Sequence, residues 1–585
     1  MNKDSLKSLT KKEWHMPFAE KIMAIIRSFS LTEKAIFAVF SAIFIVSGLS
    51  LLYQVNKLFL VQVPDYGGKI TEGVVGSPRF VNPILASSDI DRDLTSLLYS
   101  GLLKVGENGE LLPDLAESFN ISDDGLTYTF VIKNNAVFHD GKKVTADDVI
   151  FTIEKAEDTS LKSPREVNWR GVKVEKIDDR TVTFSLKQAY SPFIQNATLG
   201  ILPKHIWNTA NVEEFPFSQF NINPVGAGPY KVDSITYSSS GLPSEYHLTS
   251  FNKYTLGRPY ITTLVIKSYS NEKDESEAYK NGSVDSVHGI SPKQLSQLKL
   301  KTDKIILSPL PRIFGVFFNQ NVAPVLVHKE VRTALSLATD NQDIVNSILG
   351  GYGQPINSPV PVIYTIKSAT STSDIATRIE KAKKLLTDNG WVLNSQGVFE
   401  KTDKKETQTL SFAISTGDAK ELKDTAFLLQ KQWSAIGAKV DVKIFEISDL
   451  NQNIIKPRKY DALLFGEVIG RDQDLYPFWH SSQRTAPGLN IAQYANVKTD
   501  KILENLRKTI DPVEQKNYFV SFQKEISNDV PAVFTYSPYF IYIVPDKVQN
   551  VTLGAITAPS ERFSNISKWY IETNNVWKIF TKNKN

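Results

Sequence analysis

Cysteine is absent from this 585-residue chain. Its absence excludes disulfides, thiolate nucleophiles, cysteine-ligated zinc and a lipid-modified cysteine. It leaves the compartment open, because a large extracellular domain can fold without disulfides. An excess of either charge is also missing: 67 Lys/Arg oppose 63 Asp/Glu, for a net +4. No long basic run or stripe occurs, so the footprint of a nucleic-acid binder is not there. Histidine is sparse. His15, His139, His205, His247, His288, His328 and His480 are scattered, with no H-E-x-x-H and no pair at i, i+4.

Signatures of catalysis are lacking as well. No G-x-S-x-G nucleophile elbow occurs. "NPVGAGPY" (223–230) has neither a third glycine nor a following Lys-Ser/Thr, and Pro229 has no N–H to offer a phosphate. Asp123–Asp124 and Asp147–Asp148 sit at a turn and at a helix start, where turn and capping roles suffice. His139–Asp140 reads as part of a polar hairpin beside the Gly141 turn, not as a metal pair. The expectation is a protein that is not an enzyme and carries no metal or cofactor.

What is present is the composition of a folded protein, 41% hydrophobic, 11% aromatic and 22% charged, and long enough for two to four domains. From Ala35 to Asn56, "AIFAVFSAIFIVSGLSLLYQVN" carries no charge. As a helix these residues span roughly 33 Å, one hydrocarbon core. Residues 1–34 hold seven Lys/Arg against four Asp/Glu. The positive-inside rule puts that tail in the cytoplasm and the bulk of the chain outside. A cleaved signal peptide fits less well: the apolar run is too long, the leader is extended, and no small-x-small site follows. The expected organisation is a cytoplasmic tail (1–34) and a single transmembrane anchor (35–57), with residues 5–30 able to form an amphipathic helix on the inner leaflet.

Beyond the anchor, helices and strands interleave, which predicts α/β layers with mixed sheets. "DLTSLLYSGLLKV" (93–105) reads as a helix running into a strand. In "TYTFVIK" (127–133), Tyr128, Phe130 and Ile132 share one face. Thr145 and Asp148 form a capping box for "DDVIFTIEKAED". "TVTFSL" (181–186) alternates again, and 325–349, 373–391 and 419–437 are helical. Loop aromatics such as Trp169, Trp391, Tyr352, Tyr476, Phe478 and Trp479 suit a cleft that stacks on an organic ligand.

The order of these pieces resembles the family 5 extracellular solute-binding proteins of peptide- and nickel-type ABC importers. The resemblance is carried by "LLYSGLLKV" (97–105), "LLPDLAESFNISDDGLTYTFVIKNNAVFHDGKKVTADDVIFTI" (111–153), "TVTFSLKQAYSPFI" (181–194), "ILPKHIW" (201–207), "NPVGAGPYKV" (223–232), "GVFFNQN" (315–321), "VRTALSLATDNQDIV" (331–345), "AKKLLTDNGW" (382–391) and "YDALLFGEV" (460–468). It implies a two-lobed, periplasmic-binding-protein-like (type II) α/β fold with an inserted third domain. Lobe I would take 68–95, 200–305 and 545–575, domain II 96–199, and lobe III 306–544.

By the same resemblance, a peptide lies in the inter-lobe cleft and the protein, a monomer held at the membrane, delivers it to an ABC permease without catalysis. An aspartate after the "YDA" strand holds the ligand's ammonium in several family members. Here Asp472 and Asp474 both qualify, and the spacing does not choose between them. Tyr476 and Trp479 would wall the pocket, Trp169 would approach from the insert, and Ser77 and Arg79 would face the cleft. Asn319 is a further candidate, with a structural role favoured. Other readings keep the fold and change the ligand to a nickel chelate or an oligosaccharide, or replace transport by an envelope sensor or chaperone role.

Overall fold

The computed structural model describes residues 17–107, 109–298, 303–360, 374–403, 406–471 and 473–581. The chain divides into two compact units. One holds the N-terminal segment up to Asp65 together with Thr573 onward, and the other runs from Tyr66 to Glu572.

In the smaller unit, helix Pro17–Ser28 lies within the stretch read as amphipathic, whose residues 5–16 are outside the described residues. Helix Leu31–Phe59 follows and is longer than the uncharged run at both ends. Ser30 and Glu33 form a capping box that starts the helix before its apolar part begins. None of its residues is buried within the protein. Strand Leu60–Pro64 then pairs antiparallel with Thr573–Trp577.

The larger unit is built on a twelve-stranded mixed sheet. In one half, Lys69–Val75 lies parallel between Thr263–Tyr269 and Ser286–His288, and Pro243–Ser250 and Tyr230–Tyr237 extend the edge antiparallel. In the other, Ser411–Gly417 runs parallel to both Lys439–Phe445 and Ala462–Val468, with Arg312–Phe318 antiparallel beyond. One strand, Ala532–Val544, belongs to both halves. Its first residues pair with Arg312–Phe318 and its last with Lys304–Pro309. The continuous apolar run "AVFTYSPYFIYIV" suits a strand covered on both faces. Pro538, with no N–H to donate, stands where the partner strand changes. Pro311 stands between the two partner strands.

A separate four-stranded antiparallel sheet forms from Ala116–Ile121, Thr127–Ile132, Thr181–Ser185 and Lys173–Lys176. Its alternation is the one read from sequence: Tyr128, Phe130 and Ile132 are buried and their neighbours are not. The Thr145–Asp148 capping box starts helix Ala146–Glu157. The His139 ring is scaffold. Its Nδ1 accepts from the Gly226 N–H at 3.2 Å, so the proton sits on Nε2, which donates to the Gly228 carbonyl at 3.1 Å. Burial lowers its pKa to about 4 and keeps it neutral. The glycines of "GAG" answer to close packing: a Cβ on Gly226 would lie 1.9 Å from the Leu98 carbonyl oxygen.

Beneath the first half of the sheet lies a buried ion cluster. The Arg562 guanidinium, fully buried, donates to Glu72 Oε1 at 2.7 Å and to both oxygens of Asp93 at 2.7 Å. Tyr542 and Ser286 hydroxyls donate to Glu72 Oε2 at 2.8 and 3.0 Å. Burial raises the Asp93 pKa to about 6 against the pull of Arg562, and holds His288 neutral. Glu275, also buried, has no hydrogen-bond partner among the described residues, and its carboxyl is pushed up to about 8 by desolvation and by Glu72.

Two outcomes follow from this cluster. Arg562→Ala strands two buried carboxylates and should cost about 3–5 kcal/mol in urea unfolding; a loss below about 1 kcal/mol contradicts the cluster's role. The Glu275 carboxyl keeps its proton to about pH 8 when folded, against a reference value of 4.5. Folding therefore retains a proton, and stability falls as pH rises across that interval. Glu275→Gln should remove the decline, so its Tm advantage over the parent grows between pH 5 and pH 8.5; a pH-independent difference would refute the assignment.

Candidate functional site

Four remote parts of the larger unit meet around a cavity of about 490 Å³. Helix Asp89–Leu98 and the turn after it supply Arg92, Thr95 and Tyr99. The segment around the short helix Glu166–Trp169 supplies Arg165 and Trp169. The loop after strand Ala462–Val468 supplies Gly470 and Arg471, and the turns at 557–567 close the remaining side.

The helix Asp89–Leu98 is placed by its own chemistry. Ser88 caps it, and Asp91 accepts the backbone N–H groups of Arg79 and Phe80 at 2.8 and 3.0 Å. Its buried face carries Ile90, Leu94, Leu97 and Leu98, which leaves Arg92, Thr95 and Ser96 toward the cavity. Arg471 closes the opposite wall. Its guanidinium donates to the carbonyls of Gly109 and Ala555, each at 3.1 Å, and to Glu561 Oε2 at 2.6 Å. A Cβ on Gly109 would come within 2.5 Å of that guanidinium, so glycine permits the approach. Glu561 also accepts the Thr557 N–H and hydroxyl, each at 2.6 Å.

Several polar groups at this cavity are left over. Thr95 Oγ1, Tyr99 OH and Arg165 Nε have no hydrogen-bond partner among the described residues. Burial and the Arg92 charge pull the Arg165 pKa below its ordinary value, with no carboxylate among the described residues to restore it. The site is therefore a partly apolar hollow with unsatisfied hydroxyls and an uncompensated cation. That chemistry suits an uncharged or anionic polar group of a ligand. Among the described residues no cluster of three His, Asp or Glu could hold a metal ion.

The sequence candidates fall in different places. Trp169 reaches the cavity, packed on Phe184 and Phe193. Asp472 lies outside the described residues. Asp474 lines a smaller neighbouring cavity of about 240 Å³, but Arg507 engages both its oxygens at 2.5–3.0 Å and the Tyr190 hydroxyl adds a bond at 3.3 Å. Tyr476 is sandwiched between Arg507 and the His480 ring, 3.8 and 4.0 Å from its centroid. Trp479 is not a wall of either cavity. It is fully buried among Phe317, Tyr494, Phe522 and Phe534, because the short helix Tyr476–Trp479 turns its last residue into the core. Ser77 and Arg79 are exposed on the loop after Lys69–Val75 and line neither cavity. Asn319 is buried, donating to the Arg458 carbonyl at 2.9 Å and accepting the Asn321 N–H at 3.2 Å, which is a structural role.

Sequence reasoning missed Arg92, Tyr99, Arg165, Arg471 and Glu561. Arg471 adjoins the aspartates that were singled out, so its segment was legible. Arg165 and Glu561 lie in turns with no motif to mark them.

Comparison with known proteins places this architecture. Residues 110–486 match the family described as bacterial extracellular solute-binding proteins, family 5 Middle. The chain belongs to this family, a family of substrate-binding proteins rather than enzymes, with a two-lobed α/β fold. It is 28% identical over 516 residues to the oligopeptide-binding protein AppA of Bacillus subtilis (strain 168), covering 87% of this chain and 92% of the relative. The structure of the B. subtilis AppA in complex with a nonapeptide is 27% identical with a TM-score of 0.63, over 87% of this chain and all of that one. NikZ of Campylobacter jejuni, in complex with Ni(L-His), is 26% identical with a TM-score of 0.65, over 86% and 99%.

The Arg471–Glu561 contact can be measured by itself. A double-mutant cycle of Arg471→Ala and Glu561→Ala, read by urea unfolding, should give a coupling of about 1–3 kcal/mol. A coupling below about 0.3 kcal/mol would mean that the two side chains do not hold these segments together.

Proposed function

We propose that this chain is a membrane-tethered receptor that captures peptides outside the cytoplasm, in the cavity between its lobes, and passes them to an ABC permease. The observation that carries the reading is the cavity itself, where the Thr95 and Tyr99 hydroxyls and the Arg165 Nε have no hydrogen-bond partner among the described residues and could meet a polar ligand. The bound nonapeptide of the B. subtilis relative supports a peptide as that ligand. The uncharged run Ala35–Asn56 within helix Leu31–Phe59 supports the tether, crossing once with the tail inside.

In this reading lobe I takes 68–95, 200–305 and 545–575, the insert takes 96–199, and lobe III takes 306–544. The lobes open and close about the two crossing segments near Leu310 and Pro538, where sheet pairing changes partners. Arg471, from lobe III, grips residues of the insert and of lobe I and so favours the closed form. Arg165 meets the ligand's carboxylate, and the hollow accepts varied side chains through water. The aspartate role is carried by Asp472 if by either candidate, since Arg507 occupies Asp474.

A second reading, capture of a nickel chelate, draws support from NikZ. The chelating molecule would then supply the ligand atoms, as the described residues hold no metal cluster.

Native mass spectrometry of the chain from residue 66 onward should find copurified peptide, and a nickel chelate mass would favour the second reading. Arg165→Gln should weaken a peptide with a free carboxylate by about 10- to 100-fold, the worth of hydrogen bonds to a charged group. It should weaken the amidated peptide far less, measured by calorimetry. Equal losses for both would remove Arg165 from the site.

A further inference from the structure

The strand pair of the smaller unit has an unusual consequence for the residues that follow it. Leu60–Pro64 leaves the apolar helix directly, and Thr573–Trp577 returns antiparallel to it, with Trp577 opposite Leu60 and Pro64 opposite Thr573. The returning strand therefore runs back toward the helix end. The Trp577 ring stacks on Phe59, the last residue of the helix, at 6.3 Å. Trp577 thus stands level with the point where the helix leaves its uncharged run, just past Lys57.

The next residues go further in the same direction. Lys578–Phe580 forms a single turn with Ile579 and Phe580 each 69% exposed, and Trp577 is 46% exposed. Ile and Phe at that exposure, next to a lysine, are poorly placed for water. They are well placed for the boundary between lipid headgroups and acyl chains, where tryptophan concentrates and lysine stems extend to the phosphates. In sequence, Lys582 and Lys584 follow, adding basic charge suited to anionic lipid.

We propose that Trp577–Phe580 is a second membrane contact, an interfacial foot that inserts Ile579 and Phe580 into the outer leaflet beside the anchor helix. The occupant is the bilayer surface, argued from continuity with the helix through the register of the strand pair. The proposal rests on reading Leu31–Phe59 as a transmembrane anchor. The foot would fix the ends of the exported part at the membrane by two points instead of one, restricting the rotation that a single helix permits.

The absence of cysteine makes the test direct. Single cysteines at Thr581, Ile45 and Ser239 of the full chain, each labelled with an environment-sensitive fluorophore, are reconstituted into vesicles of phosphatidylcholine and phosphatidylglycerol. Nitroxide lipids of shallow and deep label position then report depth. The label at position 581 should be quenched at least twofold by the shallow lipid, the label at 45 by the deep lipid, and the label at 239 by neither. Ile579→Ser with Phe580→Ser leaves the strand pair intact and should abolish quenching at 581 while leaving that at 45. Quenching at 45 without quenching at 581 would overturn the foot and keep the anchor. Quenching at 581 that survives the double substitution would reduce it to mere proximity. Failure at 45 would overturn the anchor and the foot together.

Discussion

The larger unit is organised around one buried cation. Arg562 sits with no exposed surface between Glu72 and Asp93, and these three residues come from parts of the chain separated by up to 490 positions. A guanidinium in such surroundings has a single geometry that satisfies it: two carboxylates and the Pro559 carbonyl, all within 2.8 Å. The strand Lys69–Val75, the helix Asp89–Leu98 and the turns near 562 are therefore held in one arrangement by charge as well as by packing. Such a cluster is a weak source of net stability, but misplacing any member is costly. Its value lies in specifying how distant segments join.

That arrangement also builds the cavity. The helix that offers Asp93 inward offers Arg92, Thr95 and Ser96 to the hollow, and the turn that supplies Arg562 supplies Glu561 to Arg471. One helix and one turn thus serve both the buried charge and the wall of the cavity. The cavity's far wall comes from a different half of the sheet, reached only through two crossing strands. Across this cavity the halves are joined by side chains such as Arg471, whereas each half is held by its own core.

Local periodicity was legible throughout. The alternation of Tyr128, Phe130 and Ile132, the Thr145–Asp148 cap and the helix that runs into the "LLY" motif all appear where spacing put them. The scaffold role of His139 was also readable, since a polar hairpin beside a turn needs no ligand. Aromatic residues misled where their surroundings were not local: Trp479 looked like a loop aromatic and proved to be the centre of a core, because the residues around it come from 317, 494, 522 and 534. Asp474 was a fair candidate by position, yet its charge is taken by Arg507, which lies 33 residues on.

The order of residues alone determined the apolar helix and the α/β character, because these depend on composition and on periods of two and 3.6 residues that neighbouring positions express; family membership was legible through the resemblance of specific motifs, and residues 110–486 match the family. Tertiary structure alone decided which carboxylates are already paired, which hydroxyls are left facing a hollow, and where the chain's return strand places Trp577. Those properties depend on distances between side chains remote in sequence, and a hydrogen bond or an ion pair exists only within a few ångströms.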